Sequence, residues 1–178
     1  MECRRPSIWQ TSTVNCIAGF VHYLCSMARI YPDIKRLKSG DLVLFRQLNQ
    51  LFAGCFDDAK NYLSDPPSDE YVTGLLGKDS VIPIVALLDQ QVVGGLVAYE
   101  LEKFEQQRSE IYIYDLAVDE KYRRQGIATT LIDAVREVAL QRGAWVVYVQ
   151  ADYGDEPAVE LYSKLGVRED VLHFDIEP

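Results

Sequence analysis

The sequence predicts an α/β domain with a mixed sheet, and three observations carry that reading. Residues 111–149 run strand, helix, strand, a crossover unit whose two strands must be parallel. Two apolar runs at 81–88 and 92–101 meet at Asp89-Gln90, the spacing of an antiparallel hairpin although not its ideal turn residues. The 178 residues are 48% apolar and 25% charged, which gives room for one domain and enough apolar surface to bury a core.

Residues 1–27 stand apart from the rest. Arg4 and Arg5 precede a mildly apolar run at 14–25 that Asn15 and His22 interrupt. The run falls short of the roughly 20 apolar residues that cross a bilayer. Ser26-Met27-Ala28 offers a small-x-small pattern for signal cleavage. The polar interruptions favour instead a functional start at Met27, with the preceding residues as an extension outside the fold. The domain is expected over 28–178, as a single unit.

Residues 30–37 read as a strand. Ser39 or Asp41 can cap a helix that carries Leu42, Phe45, Leu48, Leu51 and Phe52 on one side. The Ser-Asp-Pro-Pro-Ser stretch at 64–68 is a loop, followed by a short helix holding Tyr71, Leu75 and Leu76. Gly94-Gly95 inside the second hairpin strand signals a bulge or a close approach by another element. The next strand covers 110–118. A helix from about 126 to 142 places Ile127, Leu131, Ile132, Val135, Val138 and Ala139 on one stripe and stops at Gly143. The unbroken apolar run at 145–149 suits a strand buried on both faces. A helix over 157–165 ends at Gly166, and 171–176 is expected to close the sheet.

Charge narrows the function. Eighteen basic residues face 27 acidic ones, for a net charge of −9. Non-specific nucleic-acid binding needs the opposite sign, so a cationic partner fits better. The distribution is uneven: 57–120 hold four basic and fourteen acidic residues, 121–149 five and two, and 150–178 two and eight. Most such charges are solvated surface; the functional alternative is an anion site beside a cation-binding cleft. Cys3, Cys16, Cys25 and Cys55 form no C-x-x-C pair, so no structural zinc site can be assembled, and with His22 and His173 the only histidines a Ser-His-Asp or Cys-His machine has little support. No metal is expected.

The start of the long helix is unusual. Tyr122-Arg123-Arg124-Gln125-Gly126-Ile127-Ala128 offers no immediate side-chain acceptor and puts two arginines at the positive end of the helix dipole. That choice makes sense if a bound anion satisfies the free N–H groups, with Gly126 and Ala128 small enough to let it approach.

These residues carry a resemblance. Arg123-x-x-Gly126-x-Ala128 is similar to the R/Q-x-x-G-x-G/A motif of the GNAT superfamily of acyl-CoA N-acyltransferases, with Ala at the third position where many members have Gly. The resemblance implies the GNAT fold, a mostly antiparallel mixed sheet flanked by helices with a parallel pair of strands at the acetyl-CoA site. It implies that Arg123, Arg124, Gln125, Gly126, Ile127, Ala128 and Thr129 hold the coenzyme pyrophosphate, and that Leu116, Ala117 and Val118 offer backbone groups to the pantetheine arm. The stretch 155–166 resembles the superfamily's last helix, which makes Tyr162 the candidate general acid for the leaving thiolate. Where many members have Asn, this chain has Asp155, which shifts that position towards an amine contact.

Longer stretches at 104–118, 148–155 and 171–176 resemble the small, gentamicin-acetylating aminoglycoside 3-N-acetyltransferases of the GNAT type. That similarity spans about 28–178 and is looser over 28–80. It implies a cytoplasmic, homodimeric resistance enzyme that moves acetyl from acetyl-CoA to the 3-amino group of 2-deoxystreptamine, binding neither membrane nor nucleic acid. Asp115 is the favoured base, acting directly or through one water, with an ammonium-binding anion as the alternative role; Glu110 is the second candidate. Asp152 and Asp155 could hold further ammonium groups, and Tyr114 and Tyr153 could pack on sugar rings. Asp65, Asp69 or Glu70 could also hold an ammonium group, although solvated surface fits each of them better. Cys55 is expected far from either motif as a small buried hydrophobe. Other readings remain: acetylation of a polyamine or peptide, a non-catalytic acyl-CoA-binding module, or a secreted binding protein if the N-terminal segment were a signal.

Overall fold

The computed structural model describes residues 31–178. The signal and start-site readings, and Cys3, Cys16, His22 and Cys25, fall outside the described residues. The elements run β1 (Asp33–Arg36), α1 (Leu42–Cys55), α2 (Ala59–Leu63), α3 (Asp69–Leu76), β2 (Val81–Leu88), β3 (Gln91–Glu102), β4 (Ser109–Val118), a 3-10 turn (Glu120–Tyr122), α4 (Ile127–Arg142), β5 (Val147–Val149) and α5 (Glu156–Leu165). The five strands lie in the order β1-β2-β3-β4-β5. All pairs are antiparallel except β4–β5, which is parallel across the α4 crossover. The mixed open sheet expected from the sequence is present.

Alternation along the strands divides the core between the two faces. Ile82, Ile84, Leu96, Ala98, Ile111 and Ile113 pack under Ile127, Leu131, Ile132, Val135 and Ala139 of α4. Val85, Leu87 and Ala117 turn the other way, against Leu48 and Phe52 of α1 and Val72 and Leu76 of α3. The β2–β3 turn is the two-residue loop expected, and Asp89 and Gln90 both take positive φ (48° and 66°), the strand-matching turn for which Asn-Gly is commoner. Both readings of Gly94-Gly95 hold. The β2–β3 register slips between Ala86 and Leu87, and a Cβ on Gly94 would lie 3.1 Å from Ile127 Cγ2.

Three expectations need correction, and one element was not foreseen. Asp41 stands at the start of α1 but makes no cap; its carboxylate accepts from Lys35 Nζ (2.6 Å) and Lys38 N (2.9 Å) instead. Helix α2 is too short for periodicity to reveal; the Asp58 carboxylate, which accepts from Asn61 N and Asn61 Nδ2, marks its start. The run at 145–149 gives a three-residue edge strand, half-buried rather than enclosed, because only three residues pair with β4. Trp145 lies 61% exposed with the Arg108 guanidinium stacked on its ring. Residues 171–176 do not close the sheet: they have strand-like alternation but no ladder partner among the described residues, and Leu172, Phe174 and Ile176 are exposed.

Candidate active site

The site grows from an irregularity in β4. Its register with β3 pairs Asp115 with Val97 and Ile113 with Ala98, so Tyr114 is an extra, bulged residue. Pairing of β4 with β5 stops at Ile113–Val149. Beyond the bulge, the β5-facing edge of Tyr114–Val118 has no strand partner among the described residues, leaving backbone groups open to an extended ligand.

That edge leads directly to the uncapped helix. Gly126 takes φ +86° and makes no side-chain cap, and the first backbone bond of α4 is Thr130 N to Gly126 O, 3.0 Å. The N–H groups of Ile127, Ala128 and Thr129 therefore have no acceptor within the helix. A Cβ built on Gly126 meets no atom within 4 Å, so the space over this helix end is open. Gln125 Nε2 donates to Lys121 O (3.3 Å). The two arginines divide their roles. Arg123 Nε donates to Val118 O at 3.0 Å, tying the loop to the strand end. Arg124, at φ +63°, is exposed and 3.7 Å from Glu160 of α5. An exposed guanidinium, free helix N–H groups and open space are the features that suit an anion such as a pyrophosphate.

Asp115 faces the α1 side of the sheet, where Tyr62 donates to its Oδ1 at 3.0 Å. Burial pushes the Asp115 carboxyl above its ordinary value, and the Tyr62 bond offsets only part of that. Burial and the nearby Asp115 charge push the Tyr62 hydroxyl strongly upward. Beside Asp115, Tyr114 meets Tyr99 and Tyr112 edge-on, at 6.0 and 5.7 Å between ring centres, and Tyr112 stacks on Tyr148 at 4.9 Å. Tyr112 also donates to Gln150 Oε1 (2.8 Å). Glu110 closes this row at the far end of β4, paired with Lys103 Nζ at 3.1 Å.

Tyr162 lies on the other side, half-buried on α5 against the α4-side core. Burial, with the Asp155 charge second, pushes its hydroxyl up to about 12. Asp155 caps α5, accepting from Ala158 N at 3.2 Å, and so has a structural task besides any contact with an amine. Asp152 and Tyr153 are exposed on the loop before it. Of the proline-rich loop and the start of α3, Asp69 is held by Arg46 at 2.9 Å, while Asp65 and Glu70 are exposed.

The structure thus gathers Asp115, Tyr114 and Glu110 on one face and the 123–129 loop at the end of the same strand. Tyr162 packs on the opposite, α4-side face of the sheet. Sequence reasoning missed Tyr62, Tyr99 and Tyr148; two alternate tyrosines in β4 hinted at an aromatic face, but nothing local links residue 62 to residue 115. Cys55 is corrected. Its thiol lies 3.7 Å from the Val118 carbonyl, beside the end of β4 rather than far from it, because α1 packs against that strand.

The acetyltransferase (GNAT) family model matches residues 45–167. The chain belongs to this family. Members of this family use acetyl-CoA as co-substrate. An aminoglycoside acetyltransferase from an uncultured soil metagenomic sample is 49% identical, with a TM-score of 0.82 over 84% of this chain and 99% of that one. A second soil metagenomic aminoglycoside acetyltransferase, solved with sisomicin, is 35% identical, with a TM-score of 0.77 over 83% of this chain and 97% of that one. Among curated proteins, an N-alpha-acetyltransferase of Saccharolobus solfataricus is 32% identical over 91 residues, 47% of this chain. The chain spans about half the length of that relative (54%) and less of the others it matches.

Among the described residues, no group of three or more His, Cys, Asp and Glu side chains could hold a metal. No helix among them is long and apolar enough to cross a membrane.

Proposed function

We propose that this GNAT enzyme is an aminoglycoside 3-N-acetyltransferase that confers resistance by moving acetyl from acetyl-CoA to the 3-amino group of 2-deoxystreptamine. The observation that carries the reading is the 49% identity with a soil aminoglycoside acetyltransferase across 99% of that chain. The tyrosine row between Asp115 and Glu110 supports it. Phenol faces and hydroxyls suit sugar rings, and carboxylates suit the ammonium groups of a polycation. A cytoplasmic homodimer goes with this reading.

In this mechanism the β4 edge and the α4 N-terminus hold acetyl-CoA, and the drug lies over the tyrosine row. The ammonium gives one proton to Asp115, whose burial makes it a stronger base than an ordinary carboxylate. The freed amine attacks the thioester carbonyl, with backbone N–H groups of the open strand edge stabilising the oxyanion. Collapse breaks the C–S bond, and the second nitrogen proton ends on sulfur. Tyr162 serves as a relay. Its hydroxyl at about 12 is too weak an acid to protonate a thiolate of about 8.5 unaided, so it donates to sulfur as it is resupplied from nitrogen. Asp115 returns its proton to solvent. Proximity supplies most of the acceleration, and no acyl-enzyme is needed.

The relatedness to N-alpha-acetyltransferases over 91 residues favours one second reading, acetylation of a peptide N-terminus. Thiol release from acetyl-CoA with gentamicin, sisomicin, spermidine and short peptides separates the two. Fast release with the drugs is expected. Release only with peptides would transfer the site to that substrate, and silence with every amine despite coenzyme binding would indicate a binding module.

A further inference from the structure

Asp115 is reached from several elements, and each brings a phenol. Tyr62 comes from α2 and donates to Oδ1 at 3.0 Å. Tyr99 of β3 and Tyr112 and Tyr114 of β4 stand around it. Helix α1 and its C-terminal cap contribute only Phe52 and Phe56, which pack on the Tyr62 ring at 5.7 and 6.0 Å between ring centres. Asp58, at the start of α2, faces Tyr62 rather than Asp115 and is held by the Asn61 amide. Tyr62 is therefore fixed by its own aromatic neighbours before it touches the carboxylate. Its bond occupies Oδ1, while Oδ2 has no protein partner among the described residues.

We propose that Tyr62 is a positioning residue for acetyl transfer: its hydroxyl locks the Asp115 carboxylate in one rotamer, so that Oδ2 alone is presented to the substrate amine. The role rests on the reading of Asp115 as the base. Two carboxylate oxygens free to rotate would share the incoming ammonium, and the proton would leave along a variable path. With Oδ1 held, the nitrogen lone pair is uncovered in one orientation relative to the thioester. A charge-assisted hydrogen bond to the ionised form also keeps Asp115 deprotonated at working pH against the pull of burial.

The test uses the full-length protein labelled with ¹³C at the aspartate carboxyls. Tyr62→Phe keeps the ring and removes only the hydroxyl. The Asp115 signal is assigned by its loss in Asp115→Asn. In Tyr62→Phe the Asp115 titration midpoint is expected to move up, the acidic limb of the kcat–pH profile to move with it, and kcat to fall about tenfold with KM changed less than about twofold. The melting temperature should stay within a few degrees of the parent. An unchanged midpoint would overturn the proposal, as would an effect confined to KM, which would make Tyr62 a substrate contact. A moved midpoint in a protein whose Asp115→Asn variant turns over like the parent would leave the Tyr62 contact standing and remove Asp115 as base. Failure of the positioning role and failure of the base assignment are thus told apart.

Discussion

Leu48 packs directly onto the bare backbone of Gly95: a Cβ built on that glycine would collide with Leu48 Cδ1 and lie 3.1 Å from the Ile84 carbonyl oxygen. This close approach seats α1 on the sheet, and α1 in turn carries Phe52 and Phe56 to the back of Tyr62. Gly95→Ala is expected to cost about 1–3 kcal/mol by overpacking, read by urea denaturation. Because the displaced helix supports the Tyr62 contact, turnover should fall by more than the loss of folded protein accounts for.

Gly126 presents the opposite case. Its added Cβ would meet nothing within 4 Å, so only the φ of +86° resists substitution. Gly126→Val should lose roughly 1–2 kcal/mol of stability to backbone strain while abolishing coenzyme A binding, because the side chain enters the space over the free N–H groups. Calorimetric titration with coenzyme A checks it. Unchanged affinity would remove the pyrophosphate from this helix end.

Asp115→Asn should slow turnover strongly yet stabilise the fold. The buried carboxyl has a raised value in the folded state, so it binds its proton more tightly folded than unfolded. Stability then falls as pH rises through the window between the ordinary carboxylate value and the raised one. The variant should melt a few degrees above the parent at neutral pH. The difference should vanish in acid below that window. An equal difference at both pH values would contradict the burial argument.

Glu100 behaves in the reverse sense. Burial pushes its carboxyl up, but the bond from Ser109 Oγ (2.7 Å) and the contact with Arg142 outweigh burial and hold it below its ordinary value. Such a group stabilises above its unfolded value, and the contribution is lost as pH falls through the folded one. Glu100→Gln, which breaks the tie between β3 and the end of α4, should cost about 1–3 kcal/mol at neutral pH. Denaturation in acid should show the deficit closing.

How much was legible follows from how local each signal is. The hairpin and the strand–helix–strand unit rest on periodicity within single segments, and they stand within one or two residues of expectation. The uncapped start of α4 was legible because a missing cap is itself a local feature. The Tyr114 bulge was not, since a bulge is a relation between two strands, and the Tyr62–Asp115 contact joins residues 53 positions apart. The reading of 171–176 as a strand failed for the same reason: alternation shows that a segment can pair, not that a partner is present.

The most direct measurement is the position of the acetyl group on sisomicin after incubation with the protein and acetyl-CoA, read by two-dimensional NMR of the purified product. The account predicts one acetyl group, on the 3-amino nitrogen of 2-deoxystreptamine, and none with Gly126→Val. Acetyl on a sugar-ring amine, or an untouched drug alongside an acetylated peptide control, would contradict it.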